Sequence, residues 1–254
     1  MTRASIAPIR QAIALAFASI ALFSNPASAG TLHGAQIQAN TVRPAVAANT
    51  TSATRRETRE IFRGSSTADL VVSLSRHALS LPFALWAHPD ADPTGSDCAV
   101  NQEGPFWFLS GGIVANFTIT CTVPAGKALV VPIFAYLNDY PCPDPNYHPA
   151  PGQSFLDFLL QGAAPIIDTL TVAEAFLDGR PHPVRRVTTG VFGFTATADL
   201  IQIDPCNTGS PMLGATDGYF TFVDPLPRGD HTLEVRSVGS LTGTADGTFM
   251  IKVR

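Results

Sequence analysis

The segment that most constrains the fold runs from Cys98 to just beyond Cys121. From Phe117 onward, apolar side chains alternate with threonines. The apolar members of this alternation are Phe117, Ile119, Cys121 and Val123. The threonines between them are Thr118, Thr120 and Thr122. A period of two is typical of a strand that is buried on one face only, so a sheet is predicted to begin here.

The composition extends this prediction to the whole chain. Phe106, Trp107, Phe108 and Leu109 form a dense aromatic and apolar block just before the alternating strand. The 254 residues include 20 glycines and 21 prolines, and only 14% of them are charged, which favours many turns between short strands. We therefore expect a mainly β protein, a β-sandwich of the jelly-roll or immunoglobulin-like type, with one or two short packing helices.

The N-terminus has the layout of a secretory signal peptide. Arg3 and Arg10 precede an apolar run from Ala12 to Phe23, and Ala27-Ser28-Ala29 provides a small-residue cleavage site. A membrane-spanning helix needs about 20 apolar residues, which this run does not reach. We expect residues 1–29 to be removed, no membrane span, and a secreted or periplasmic protein.

Removal of the signal peptide makes the chain more acidic. It takes two of the 16 basic residues and leaves 14 against 20 acidic residues, a formal net charge of −6. An acidic chain is a poor partner for nucleic acid, so that class of ligand is not expected.

Four cysteines are consistent with an oxidising compartment. Three pairings are possible, and we favour Cys98 with Cys121 and Cys142 with Cys206, because the second pair lies in two similar turn-like contexts, YPCPDP and DPCNTG. No two cysteines have the spacing of a zinc or redox motif, so structural bridges are predicted.

The predicted mature chain divides into a leader and one domain. Residues 30–63 lack periodicity, contain few aromatic residues and are locally basic, which predicts a disordered leader. Residues 64–254 are expected to form a single disulfide-linked sandwich domain.

Several local signals place elements within that domain. Ser66 is expected to begin a helix that Pro82 stops, and Ser154 a second helix from Phe155 to about Gln161 that Pro165 breaks. Pro132 suggests an edge strand or a bulge within a strand from Ala128 to Phe134. Asp178-Gly179 predicts a hairpin turn, and three C-terminal strands are expected in meander order.

The loop at residues 88–98 resembles the start of a calcium site. Its candidate oxygen ligands are Asp90, Asp92, Thr94 and Asp97, with Gly95 at the sharp turn. Asn101 occupies the position where a calcium loop has a bidentate glutamate. Calcium is therefore one interpretation, and an Asx-turn loop without metal is the other.

A proline-rich loop, residues 138–154, is long enough to be functional. Its side chains are candidates for one rim of a ligand-binding surface, or for a flap that only covers the core. The candidates are Asn138, Asp139, Tyr140, Asp144, Tyr147 and His148.

Signals for catalysis are weak. The chain has no G-x-S-x-G, H-E-x-x-H or glycine-rich phosphate loop. His231 could act as a base with Asp217 or Asp230, or could simply hydrogen-bond locally after its turn. His77 is expected to be a surface or packing residue, and Arg228-Gly229-Asp230 is explained by turn chemistry.

The order of short motifs resembles that of a family of exported bacterial β-rich proteins to which no activity is assigned. The family shows a D-x-T-G-x-x-C loop, a Q-x-G-P-x-W-F-L-x-G block, a C-x-V-P-A-G-K block and a D-G-Y…L-P-x-G-x-H-T segment. The matching positions here are Asp92, Thr94, Gly95, Cys98, Gln102, Gly104, Pro105, Trp107, Phe108, Cys121, Val123, Pro124, Gly126, Lys127, Asp217, Gly218, Tyr219, Gly229 and His231. The resemblance covers residues 66–254 and implies an extracytoplasmic all-β domain. Among the matches, Gln102, Lys127 and Asp217 are polar groups that a core would not require, which makes them candidates for ligand binding.

Two functions are consistent with these features. The first is a non-catalytic exported sandwich that binds an envelope or extracellular component, either carbohydrate or protein. The alternative is a secreted carboxylate-dependent hydrolase with a calcium-stabilised loop, in which Asp92, Asp97, Glu103, Asp139 or Asp217 would supply the acid pair. The sequence predicts no cofactor other than possible calcium, and no particular oligomeric state.

Overall fold

A computed structural model describes residues 60–87, 92, 94–111 and 115–254, together with a short strand at residues 20–22. Asp90, most of the predicted leader and most of the predicted signal peptide lie outside these residues. The last four residues of the predicted leader already belong to the fold, because Ile61–Phe62 (β2) pairs with Ser65–Ser66 (β3).

Two sheets make up the body of the protein. The six-stranded sheet contains β1 (Ile20–Leu22), β4 (Phe106–Phe108), β6 (Ala128–Tyr140), β9 (Val184–Thr188), β10 (Phe192–Thr195) and β11 (Pro211–Val223). The five-stranded sheet has the order β5 (Asn116–Val123), β13 (Gly243–Val253), β12 (Gly229–Gly239), β7 (Leu170–Leu177) and β8 (Arg180–His182). The helices are α1 (Thr67–Leu79), α2 (Phe83–Ala87) and α3 (Phe155–Ile167), with 3-10 turns at Asp97–Ala99 and Ala198–Gln202.

The sheets pack face to face, as the sequence predicts. The apolar face of β5 contributes Phe117 and Ile119 to the core between them, and the six-stranded sheet contributes Trp107, Leu129 and Val131. The mainly β, sandwich-like fold with short packing helices is confirmed.

The two longest strands of the six-stranded sheet, β6 and β11, pair antiparallel through its centre. The register shifts where Tyr219 pairs with Phe134 and Phe220 with Pro132. The bulge predicted at Pro132 is therefore confirmed. On the other side of β6, residues 128–130 pair in parallel with β4 and residues 135–137 with β1. Among the described residues, Pro132 itself has no partner strand on that side, as at a sheet edge. β6 also extends to Tyr140, so Asn138 and Asp139 lie in a strand and not in the predicted loop.

Helix α1 covers the face of the six-stranded sheet that points away from the five-stranded sheet. Leu70, Val71, Leu74 and Ala78 form its buried side, and Ser66 is its N-cap residue, as predicted. The helix ends at Leu79, before Pro82.

Helix α3 packs against β6 and β11 beside the five-stranded sheet. Ser154 Oγ accepts a hydrogen bond from the N–H of Asp157, so the predicted cap is confirmed. The predicted break at Pro165 is wrong, since the helix continues to Ile167. Gln161 and Pro165 are both exposed, and water can therefore satisfy the carbonyl that a proline leaves without its helical donor.

The C-terminal strands differ from a simple meander. β12 and β13 form an antiparallel hairpin, but β11 belongs to the other sheet, so the chain crosses between sheets after Val223. β13 then pairs in parallel with β5. The turn at Asp178-Gly179 is confirmed: both residues have positive φ, 50° and 73°.

Both favoured disulfides are present, Cys98–Cys121 and Cys142–Cys206. The first links the loop before the aromatic block to edge strand β5. The second joins the end of β6 to the loop before β11. Among the described residues, none of the helices combines the length and apolarity that crossing a membrane would require.

Candidate ligand-binding groove

The described part of the predicted calcium loop is organised by the carboxylate of Asp92. Its Oδ1 accepts hydrogen bonds from Thr94 N (2.8 Å) and Thr94 Oγ1 (2.5 Å), and its Oδ2 accepts from Asp97 N (2.8 Å) and Ser96 Oγ (3.1 Å). These hydrogen bonds hold the pKa of Asp92 below its usual range. The geometry is that of an Asx turn that caps the 3-10 turn at Asp97–Ala99, and the calcium interpretation stays a prediction.

The same loop is attached to the edge of β5. Gly95 O accepts from Thr122 N at 3.1 Å, and Thr94 O accepts from Thr122 Oγ1 at 3.3 Å. A Cβ on Gly95 would lie 2.9 Å from Thr122 N, and the φ of Gly95 is +79°. The D-x-T-G-x-x-C motif thus covers the exposed edge of β5. Its aspartate shapes the turn, its glycine lets the loop backbone approach β5 closely, and Cys98 links the loop covalently to Cys121.

Gln102 and Lys127, two predicted ligand-binding residues, contact backbone groups. Gln102 Oε1 accepts from Phe108 N at 2.9 Å, and its Nε2 donates to Phe108 O at 2.6 Å and Cys98 O at 2.9 Å. Lys127 Nζ donates to Gly104 O. Both side chains fix the segment from Asn101 to Phe108, and their direct contact with a ligand stays a prediction.

The other predicted candidates do not converge on one surface. Tyr140 and Tyr147 have ring centroids 6.4 Å apart and pack with Phe155 and Phe158 of α3. His148 is exposed in the loop. Burial and the negative charge of Asp139 raise the pKa of Tyr147 to about 12, and its hydroxyl donates to Asn138 Oδ1 at 2.8 Å. These aromatic rings mainly pack the proline-rich loop against α3.

Asp139 instead lies beside a residue that the sequence did not single out. A carboxylate oxygen of Asp139, one of Asp204 and the sulfur of Cys206 lie within 4.8 Å of one another, and all three residues are buried. Asp204 also accepts from Cys206 N at 2.9 Å. Since the sulfur of Cys206 is bonded to Cys142, only the two carboxylates could serve as ligands for a hard cation. These aspartates are 65 positions apart in the sequence, which explains why no local motif reveals the pair.

Asp217, the third polar position singled out by the family resemblance, is buried in an ion pair. Its carboxylate accepts two hydrogen bonds from Arg186, at 3.1 Å and 2.6 Å, and one from Thr188 Oγ1 at 3.0 Å. Arg186 also reaches Asp168 at the end of α3, at 2.6 Å. The network joins β11, β9 and α3.

His231 pairs with Asp178, and not with Asp217 or Asp230 as proposed for a base. Its Nδ1 lies 2.8 Å from Asp178 Oδ2, and its Nε2 lies 3.0 Å from Pro227 O. Because both ring nitrogens are engaged and Pro227 O can only accept, this histidine is held as a structural link between two turns. Asp230 is bound by Arg254 at 2.6 Å.

A groove with several accessible polar groups lies elsewhere, between α1 and the segment from Asn101 to Phe108, and has a volume of about 620 Å3. One wall is a single face of α1, Leu70, Ser73, Arg76 and His77, together with the C-cap residue Ser80. The opposite wall consists of Asn101, Glu103, Gly104, Pro105, Phe106 and Phe108. Together, the two walls give the groove hydroxyl, amide, cationic and anionic groups and two half-buried aromatic rings.

The walls are held together by hydrogen bonds. Asn101 Nδ2 donates to both the carbonyl and the hydroxyl oxygen of Ser80, each at 3.1 Å. Asn101 has a φ of 55°, a left-handed conformation that asparagine adopts more readily than most residues. On the helix side, Arg76 Nε donates to Gly193 O at 2.9 Å. The Asn101–Ser80 bonds join the two walls, and the Arg76–Gly193 bond ties α1 to β10.

His77 lies at the base of the groove. Its Nδ1 lies 3.4 Å from Asn101 O and its ring centroid 5.6 Å from that of Phe108. We assign the proton to Nδ1, since a carbonyl oxygen can only accept. Burial lowers the pKa of His77, opposed by the hydrogen bond to Asn101, so the ring is neutral near pH 7.

A smaller cavity of about 40 Å3 adjoins the groove, and His77 and Phe108 line both spaces. Its remaining walls are mainly apolar and consist of Leu81, Leu85, Trp86, Asp97, Cys98, Leu109, Ser110, Gly111 and Ile119. Sequence reasoning predicted only a packing or surface role for His77. The groove combines a helix face with a loop more than twenty residues away, and no local pattern signals that juxtaposition.

Comparison with models of known protein families, with curated proteins and with solved structures finds no match for this chain.

Proposed function

We propose that this protein is an exported, non-catalytic β-sandwich protein that binds an extracellular or envelope carbohydrate in the groove between α1 and the Asn101–Phe108 segment. The observation that carries the proposal is the groove itself. Phe106 and Phe108 offer apolar ring surface to the C–H face of a sugar, while Ser73, Asn101 and Glu103 offer hydrogen-bonding groups to its hydroxyls.

The dimensions favour a small ligand over a folded protein. A specific protein interface usually covers about 800 Å2 of each partner, whereas ligand pockets occupy roughly 300–1,000 Å3. The groove volume of about 620 Å3 falls in the latter range. The groove contains one positive residue, Arg76, and one negative residue, Glu103, so its charges cancel, which suits a neutral glycan.

The binding test compares two exposed glutamates. A glycan array on the full chain identifies a ligand, and calorimetry then compares Glu103→Ala in the groove with Glu234→Ala on the outer face of β12. We expect Glu103→Ala to weaken binding at least about fivefold, the loss of one hydrogen bond to a charged group, and Glu234→Ala to have little effect. Equal affinities of the two variants, or no glycan bound, would refute the proposal.

Export is supported by the signal-peptide layout of residues 1–29, by the two disulfides and by the block order that resembles exported bacterial proteins. N-terminal sequencing of the protein recovered outside the cytoplasm should begin at Gly30. The exported six-stranded sheet would then lack β1 (Ile20–Leu22) and keep its other five strands. A chain that retains Met1 would contradict the proposed export.

The buried Asp139–Asp204 pair is the observation that favours the alternative, a carboxylate-dependent hydrolase. Both carboxylates are almost fully buried and neither lines the groove, so a substrate in the groove would not meet them. Product analysis of the bound glycan distinguishes the two functions. Cleavage that Asp204→Asn abolishes would establish the hydrolase and overturn the non-catalytic proposal.

A further inference from the structure

The cavity next to the groove would select among sugars by the substituent that enters it, a distinction that the polar groups of the groove alone do not make. His77 and Phe108 form a shared boundary between the two spaces. A ligand seated against these two rings therefore has one substituent next to the cavity. The cavity volume of about 40 Å3 exceeds the roughly 10–15 Å3 that one water molecule needs, so it admits a group as large as a methyl or acetyl.

The lining defines the chemistry of that substituent. Leu81, Leu85, Trp86 and Leu109 supply apolar surface, and Ser110 and the exposed Asp97 supply polar groups. Trp86 is held in place because its Nε1 donates to Ala78 O at 3.2 Å. An acetamido group matches this arrangement, with its methyl on the apolar side chains and its amide near the polar ones. A protonated amine would lose its hydration against the mostly apolar walls, and Asp97 would compensate for little of that loss because its side chain is exposed to water.

Resting on the carbohydrate-binding function proposed above, we propose that the ligand is a glycan of N-acetylated hexosamine, and that an N-acetyl group enters the cavity beside His77 and Phe108. The neutral state of His77 is compatible with this uncharged substituent, and the apolar burial of its methyl group provides selectivity over glucans that carry only hydroxyls.

The test compares three β-1,4-linked trisaccharides that differ only in the C2 substituent of their rings: the trimers of N-acetylglucosamine, glucosamine and glucose. Calorimetry with the full chain should show the N-acetylated trimer binding about fourfold more tightly than the other two, the value of burying one methyl group. Equal binding of the acetylated and glucose trimers would overturn the N-acetyl inference while leaving carbohydrate binding in place. Tighter binding of the glucosamine trimer would assign the cavity to a cation. If none of the three binds, the inference fails, and the glycan array then decides separately whether the proposed function survives.

A variant that fills the cavity tests whether the preference for the N-acetylated trimer arises there. Ser110→Leu should bring the affinity for the acetylated trimer down to that for the glucose trimer, whereas Ser240→Leu, an exposed serine after β12, should keep the preference. Circular dichroism and the Tm establish whether each variant is folded. If the Ser110→Leu variant does not fold, Leu85→Phe provides a second substitution that fills the cavity. A preference that persists in a folded filled variant would refute the inference.

Tryptophan fluorescence gives a readout in the unmodified protein. Of the two tryptophans, Trp86 lines the cavity and Trp107 lies in the core between the sheets. The acetylated trimer should shift the emission and the glucose trimer should not, and Trp86→Phe should remove the shift. Identical spectra with both saturating sugars would contradict entry of the acetyl group.

Discussion

Gln102 uses both ends of its side-chain amide on the backbone of Phe108, in the way that a neighbouring strand would. Asp92 and Lys127 likewise bind groups of nearby turns. A polar side chain that satisfies a backbone group removes the cost of leaving that group unbonded, so a motif can require it without any ligand. At the scale of single residues, these three positions therefore have a structural explanation that sequence alone could not separate from ligand binding.

Asp92→Ala tests whether the turn or a metal explains this aspartate. The substitution removes the acceptor of two backbone N–H groups, and we expect the free energy of unfolding to fall by about 1–2 kcal/mol, equally with and without millimolar calcium. Asp144→Ala, which removes the acceptor of only Asn146 N, should cost less. Urea titrations measure both. A rise in wild-type stability on adding calcium that Asp92→Ala abolishes would show instead that the loop holds calcium.

The His231–Asp178 pair predicts a pH-dependent contribution to stability. Hydrogen bonding to Asp178 raises the pKa of His231, so the pair stabilises the fold fully below the unfolded-state value of about 6.5 and loses this effect as pH rises through the folded-state pKa. Asp178→Asn keeps an acceptor for Thr232 N but removes the charge. We expect a loss of about 0.5 kcal/mol at pH 5.5 and a smaller one at pH 9, since the pair is partly exposed.

A matched variant separates the titration of His231 from other effects of pH on stability. Asp246→Asn removes the partner of Arg236, which does not titrate in this range, so its effect should be the same at both pH values. Urea unfolding of the two variants at each pH provides the comparison. An Asp178→Asn loss that grows with pH would show that His231 is not protonated in the pair.

Among the structural elements, β6 shows where local pattern fails. It is buried on both faces from Ala128 to Asp139, and such a strand lacks the alternation that identified β5. Local pattern therefore predicts a loop at its polar end, where the structure has a strand. The signals that succeeded, the Ser154 cap and the Asp178-Gly179 turn, depend on neighbours within a few residues.

Close contact between β6 and β11 gives a prediction at this scale. A Cβ on Gly218 would lie 2.6 Å from Ala135 Cα and 2.7 Å from Phe134 O, and the central strands cannot move apart without losing their pairing. We expect Gly218→Ala to lower the free energy of unfolding by at least about 2 kcal/mol. Gly190→Ala, where a Cβ meets no heavy atom within 4 Å, should change it by less than about 0.5 kcal/mol. Similar urea midpoints for the two variants would disprove the close packing.

For the whole molecule, the arrangement of strands depends on contacts between distant parts of the chain. β5 pairs with the C-terminal strand β13, and β11 and β12 are consecutive yet lie in different sheets. Hydrophobic pattern predicts that two sheets pack, but it does not determine which strand joins which sheet. The same limit applies to the groove and to the Asp139–Asp204 pair, whose members meet only once the sheets are assembled.

The two disulfides restrict the unfolded chain to different extents. Cys142–Cys206 spans 64 residues and Cys98–Cys121 spans 23, so loop-closure entropy predicts losses of roughly 4 and roughly 3.5 kcal/mol when each pair is replaced by alanine. Burial does not obscure the comparison, because each pair has one fully buried and one half-buried cysteine.

Denaturant unfolding of Cys142→Ala/Cys206→Ala and of Cys98→Ala/Cys121→Ala should therefore rank the longer link as the more stabilising. Reduced wild-type protein, with four free thiols by mass spectrometry, is the control, and it should be less stable than either variant. A larger loss for the Cys98–Cys121 variant would mean that native contacts dominate over chain entropy. The loop at residues 94–98, which covers the edge of β5, would then contribute more to the stability of the sandwich than the longer covalent link.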